Sequence, residues 1–205
     1  MPLSPAAEDF HLSVVGMLHE NGGTLVLLGP DEPGFWPAFH NSNEARDGQP
    51  DPLDRWSKRA IRTLAQLWGG VPAFPSDGPP YPPFQAWARA SGQAWDSPVG
   101  MLVHDTAGLW ISYRGAIHIP ALLDLPEAGQ QPCLTCAAPC LTACPVSALG
   151  PSGYDVPACK SHLNGEDRAD CMAQGCAVRR VCPISETYGR LPAQSAFHMK
   201  AFNPT

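Results

Sequence analysis

Apolar residues in the first half of the chain recur at two periods, and each period predicts its own kind of element. Phe10, Val14, Val15 and Leu18 fall on one helical face, Pro5 suits a first turn and Gly22-Gly23 follows, so a helix is expected from about Ala6 to Glu20. Thr24–Leu28 is a short apolar run with β-branched residues, the pattern of a buried strand. A second helix is expected over Pro52–Trp68, with Asp51 as N-cap and Pro52 in its first position. Its stripe is Trp56, Ile61, Leu64 and Leu67, and Gly69-Gly70 stops it. Residues 71–83 carry six prolines and predict irregular backbone, whereas Phe84–Ala90 reads as a short helix. Val99–His104 and Leu109–Ile119 read as strands joined into a hairpin by Asp105-Thr106-Ala107-Gly108.

Composition changes this picture little. The chain has 205 residues, 44% of them apolar, enough for a packed domain of ordinary size with a small appendage. Its 24 prolines predict long, stiffened loops. No run approaches the roughly 18 apolar residues of a membrane span. Met1-Pro2-Leu3-Ser4-Pro5 lacks the basic and apolar regions of a secretory leader, so a cytoplasmic protein is expected. Residues 1–130 hold 7 Lys/Arg against 14 Asp/Glu, a net of −7, and residues 131–205 hold 6 against 5, a net of +1; together they give the −6 of the whole chain. An acidic body argues against nucleic acid, whose phosphates need clustered Lys and Arg.

Cysteine divides the chain more sharply than charge does. The first 132 residues hold none, and all eight fall between 133 and 182. Clustered cysteines in a reducing compartment read as metal ligands before disulfides. Cys133, Cys136, Cys140 and Cys144-Pro145 spell C-x2-C-x3-C-x3-C-P. The bacterial ferredoxin run is C-x2-C-x2-C-x3-C-P, in which the fourth cysteine serves the other cluster. One extra residue stands in the second gap, which reads Ala137-Ala138-Pro139. A tight loop supplies three thiolates to a cubane, and a second Cys-Pro, Cys182-Pro183, is placed to supply the fourth. Cys144, Cys159, Cys171 and Cys176 then form the second set. Two [4Fe–4S] clusters on eight cysteines are therefore expected. Structural zinc on four-cysteine sites is the alternative, and a disulfide scaffold a weaker one.

Elsewhere no catalytic signature emerges: there is no GxGxxG, no Walker A and no GxSxG. Gly29-Pro30-Asp31-Glu32-Pro33-Gly34 reads as a surface loop rather than a ligand lining. His104 with Asp105, near His118, reads as a polar surface turn before a proton relay. Arg114 reads either as a solvent-facing strand residue or as a contact for an anionic cofactor. Trp36, Trp56, Trp68, Trp87, Trp95 and Trp110 read as core. Arg179 and Arg180 either offset charge at Cys176 and Cys182 or sit as solvated surface charges.

Two stretches carry a family resemblance. Cys159-Lys160-Ser161-His162-Leu163 and Gly175-Cys176…Arg180-Val181-Cys182-Pro183, after a first segment such as 133–145, resemble the second cluster segment of epoxyqueuosine reductase. Ser91-Gly92, Trp95, Met101-Leu102-Val103 and Gly108-Leu109-Trp110 resemble the stretch that precedes the clusters in that enzyme. The resemblance covers residues 90–190. The whole chain is also similar to bacterial proteins described as ferredoxin or 4Fe–4S dicluster proteins, through Pro52-Leu53-Asp54-Arg55-Trp56, Gly78-Pro79-Pro80, Trp110…Tyr113-Arg114-Gly115 and Phe197-His198-Met199. Two departures stand out: Ser97-Pro98-Val99 replaces a Gly-Lys-Asn of the reductase, and Arg179 stands where a cysteine is expected, with Cys171 as its substitute. The reductase's body is longer and holds a cobalamin, so neither cobalamin binding nor epoxide reduction is carried over.

The expected fold class is α+β. An N-terminal α/β body with a small antiparallel sheet (1–130) precedes a ferredoxin-like two-cluster domain (131–190) and a tail (191–205). The expected function is electron transfer with a redox protein partner. One alternative is a reductase whose clusters feed a cobalamin or flavin in the body, and another is a zinc-stapled interaction module.

Overall fold

In the computed structural model, which describes residues 3–204, the first long element is a strand and not the expected helix. A short helix, α1 (Leu3–Glu8), ends before His11, whose φ is 50°, and the chain runs on as β1 (Leu12–Glu20). β1 pairs antiparallel with β2 (Gly23–Pro30) from Leu12↔Pro30 to Glu20↔Gly23, with a bulge between Val14 and Gly16. The loop between them is two residues, Asn21 and Gly22, at φ 50° and 76°. An Asn-Gly pair with both φ positive matches the right-handed twist of the flanking strands. The helical spacing of Phe10, Val14, Val15 and Leu18 is thus overridden by ladder bonds to β2, and the bulge is what breaks a clean alternation in β1. The expected strand over Thr24–Leu28 is present and longer, taking in Gly29 and Pro30 from the expected loop.

After β2 come α2 (Phe35–His40), α3 (Asn43–Arg46) and α4 (Pro52–Trp68). α4 has the expected bounds, and Gly69 closes it at φ 66°. Asp51 precedes it with φ 50° and makes no side-chain cap bond. Its buried stripe is Leu53, Trp56, Ile61, Leu64 and Trp68; Leu67 is 56% exposed, a correction to the expected face. The prolines of 71–83 still permit a short strand, β3 (Val71–Ala73), at the sheet edge where Pro72 needs no outward partner. α5 (Phe84–Ala90) stands as expected.

The two expected strands of the 99–119 region do not pair with each other. β4 (Ala94–Asp96) pairs with β5 (Leu102–His104). β6 (Gly115–Ile119) instead enters the main sheet, whose antiparallel order is β1-β2-β6-β3. The 105–108 turn does close, with reciprocal N–H···O bonds of 3.0 Å between His104 and Gly108, but the chain leaves it without continuing the ladder.

The protein divides into two compact units, and the chain passes between them three times: one comprises residues up to 94 and 112–129, the other 95–111 and 130 onward. In the first, β2 is buried at every position, and Phe35 and Phe39 meet Trp56 of α4 edge-on at 5.3 and 6.2 Å. The second contains β7 (Leu149–Gly150), β8 (Gly153–Tyr154) and five helices: α6 (Val156–Asn164), α7 (Ala169–Gln174), α8 (Ala177–Arg180), α9 (Pro183–Thr187) and α10 (Pro192–Phe202). Its core is Val99, Val103, Leu109, Leu149 and Val178 together with Cys140 and Cys182. The expected tail therefore contributes a helix, Pro192–Phe202, to this unit, with Gln194 and Ser195 buried. Among the described residues no helix is long and apolar enough to cross a membrane.

Trp56→Ala should cost about 3–5 kcal/mol, the range for emptying a buried aromatic site. Leu67→Ala should stay within about 0.5 kcal/mol, as exposed substitutions do. Urea unfolding of both variants checks the corrected face of α4.

Candidate metal centre

The first four cysteines sit on alternating turns. Cys133 lies in a turn of 3-10 helix, Pro132–Leu134, and Cys140 in another, Pro139–Leu141. Between them Ala138 adopts φ 53°, which absorbs the extra residue of the second gap and reverses the backbone. That fold-back lets the Ala138 N–H donate to Cys136 Sγ at 3.3 Å. Cys182 arrives from the far end of the unit, immediately ahead of α9, which Pro183 starts. Cys133, Cys136, Cys140 and Cys182 line one cavity, with Val103, Leu109 and Pro139 among its apolar walls. Burial, and then the neighbouring thiols Cys136, Cys140 and Cys182, push the Cys133 thiol pKa up. Cys140 is raised for the same leading reason, partly offset by backbone N–H groups of its own residue and Leu141.

The second set gathers differently. Cys144 Sγ accepts the Ala148 N–H at 3.2 Å. Cys159 rides on α6, whose start is fixed by Asp155 accepting the Ala158 N–H at 2.9 Å. Burial raises the Cys159 pKa; its electrostatic neighbours are Tyr154, whose hydroxyl donates to the thiol, and then Cys176 and Cys144. The Tyr154 hydroxyl, facing the same three sulfurs, is itself pushed well above its ordinary value, first by burial. Cys171 is buried in α7, accepts the Ala177 N–H, and has Cys176, Arg180 and Asp170 as charged neighbours. All eight cysteines are free thiols in the structure. Among the described residues no three His, Cys, Asp or Glu side chains are placed to hold a single metal ion.

No protein-family model, curated protein or solved structure matches this chain. The site must be read from its own geometry.

The remaining candidates have structural duties. His104 is 3% exposed, and its Nδ1 stands 3.0 Å from both Asp105 Oδ1 and Thr106 Oγ1 inside the 104–108 turn. His118 belongs to the other unit, where its Nε2 meets the Glu20 carbonyl at 2.9 Å. Arg114 is not solvent-facing: its side chain is 15% exposed, burial lowers its pKa, and Asp54 lies 3.9 Å away. Four tryptophans, Trp36, Trp56, Trp68 and Trp110, are buried, while Trp87 and Trp95 are partly so. Arg180 pairs with Asp170 and donates to the Gly175 carbonyl.

Arg179, in the position where the resemblance expects a cysteine, is partly buried and donates to the Leu109 carbonyl at 2.5 Å. Leu109 is held from its other side as well, its N–H donating to Ser185 Oγ at 2.8 Å. These bonds press the 104–108 turn against the cysteines. A Cβ on Gly108, which has φ 56°, would stand 3.1 Å from Cys182 Sγ and 2.5 Å from the Ser185 nitrogen. Sequence reasoning missed segment 95–111 as part of this site because it was taken for a hairpin; the Asp-Thr-Ala-Gly turn was legible, its neighbour was not.

Gly108→Ala should lose about 1–2 kcal/mol from left-handed backbone alone, and more from the clash with Ser185. Gly100→Ala, at φ 74° with open space around it, should lose only the backbone part. Comparing the two unfolding midpoints isolates the packing of Gly108 against Ser185 and Cys182.

Proposed function

We propose that this chain is an electron carrier holding two [4Fe–4S] clusters, one on Cys133, Cys136, Cys140 and Cys182, the other on Cys144, Cys159, Cys171 and Cys176. The observation that carries the reading is the presence of Cys182 in the wall of the cavity lined by the first three cysteines. Spacing alone asked for that crossing. Tetrahedral zinc draws four sulfurs to about 2.3 Å from one point, whereas a cubane spreads four thiolates over four irons around a cavity. Four thiols along the wall of one cavity suit the larger group.

The residues present fit such a group. When bound, the clusters supply reversible one-electron reduction. The polypeptide supplies thiolates, apolar walls at Val103 and Leu109 that keep water away, and N–H donors at Ala138 and Ala148 aimed at cysteine sulfur. Burial disfavours the more negative reduced state, and hydrogen bonds to sulfur favour it, so these groups set the potential between them. Leu134, Leu141 and Val146, within the same cysteine run, are exposed apolar side chains of the sort a redox protein partner covers.

Anaerobically purified protein should contain iron and sulfide each near two times four, about eight per chain, and its broad visible absorption should bleach on reduction. Cys182→Ser should bring iron toward about four. Zinc alone in the wild type would sink the reading, and a flavin or corrin spectrum beside the clusters would turn it into a reductase.

A further inference from the structure

The turn between β4 and β5 contains a hydroxyl with nothing to bond. The Ser97 backbone is satisfied: its N–H donates to the Met101 carbonyl and its own carbonyl accepts from Gly100, both at 2.9 Å. Its side chain is different. Ser97 is 8% exposed, its Oγ is buried without a hydrogen-bond partner, and the residue lines the cavity of Cys133, Cys136, Cys140 and Cys182. Leaving a buried hydroxyl unpaired is unfavourable, since it has lost water and gained no partner. The other side chains of that wall are those of Val103, Leu109, Ala138 and prolines, so the acceptors within it are the sulfurs.

We infer that Ser97 donates an O–H···S hydrogen bond to a sulfur of the group bound in this cavity and thereby raises its reduction potential. The inference rests on the reading that the first set holds a [4Fe–4S] cluster. Adding one electron increases the negative charge on the cluster's sulfurs, so a fixed donor stabilises the reduced form more than the oxidised form. Ser97 acts on the centre without ligating it and is a tuning residue.

The test is a redox titration of the full-length, anaerobically loaded protein, followed by electron paramagnetic resonance, on wild type, Ser97→Ala and Ser97→Thr. Ser97→Ala should keep its iron and its fold, since it removes an unsatisfied group from the polypeptide. One couple, the one lost in Cys182→Ser, should become harder to reduce by about fivefold to tenfold in its equilibrium constant. Tenfold corresponds to 59 mV for a one-electron couple. The other couple should stay in place, and Ser97→Thr, which keeps the hydroxyl, should follow the wild type. As a second readout, one exchangeable proton coupled to the reduced centre should vanish in Ser97→Ala. Unchanged potentials, a common shift of both couples, or loss of iron in Ser97→Ala would each overturn the inference while leaving the clusters standing. A protein that takes up only zinc overturns it together with the reading beneath it.

Discussion

The second unit depends on one constraint: its core is closed by thiols. Val99, Val103, Leu109, Leu149 and Val178 form one buried aliphatic cluster in it, and Cys140 and Cys182 complete that cluster. Ionising Cys133 and Cys140 is opposed by burial and then by the neighbouring thiols, which displaces both upward. A group that takes four thiolates reverses both penalties at once, because it neutralises charge and fills the cavity. Binding free energy at such a site becomes folding free energy of the unit around it.

The same constraint explains why the chain returns from its sheet-bearing unit to contribute residues 95–111. Three consecutive positions in that segment are committed to the cysteine region: Gly108 lies against Cys182, Leu109 is bonded through both its N–H and its carbonyl, and Trp110 carries the Arg190 guanidinium 5.3 Å above its ring. Arg179 is part of this bracing. Its guanidinium reaches the Leu109 carbonyl from α8 and makes position 179 a strut. Cys171 is buried in the preceding helix with Cys176 as an electrostatic neighbour.

What could be read from sequence followed the range of the interactions involved. α4 was legible to the residue because its determinants are local: Pro52 at its start, Gly69 at its end, and one amphipathic stripe. Even there Leu67 was misplaced, because helical spacing alone does not say which edge of the stripe meets the sheet. Only the first strand of the β1–β2 hairpin reads as a helix: its four apolar residues at helical spacing compete with the strong turn signal of Asn21-Gly22, and the bulge at Val14/Gly16 hides the alternation. β6 was expected to pair with its sequence neighbour and instead pairs with β2 and β3, a long-range choice that no local pattern encodes. The division of the cysteines was proposed from spacing, and the gathering of Cys182 with the first three lies along the same lines. The contributions of Ser97, Gly108 and Tyr154 were invisible, since each acts through space on a residue far away in sequence or across a turn.

The two sets differ in what surrounds their sulfurs. They are tied at close quarters, since Cys140 and Cys144 belong to different sets and only Leu141-Thr142-Ala143 separates them. The first set has apolar walls, N–H donors at Ala138, Cys140 and Leu141 and, on the inference above, the Ser97 hydroxyl. The second has the Tyr154 hydroxyl on Cys159, the Ala148 N–H on Cys144, the Ala177 N–H on Cys171 and Arg180 nearby, paired with Asp170. Donors and a cation beside sulfur favour the extra electron, whereas apolar walls oppose it. Backbone donors meet sulfur in both sets, so on the proposed reading the side-chain hydroxyls, Ser97 beside the first and Tyr154 beside the second, are what each site adds to them.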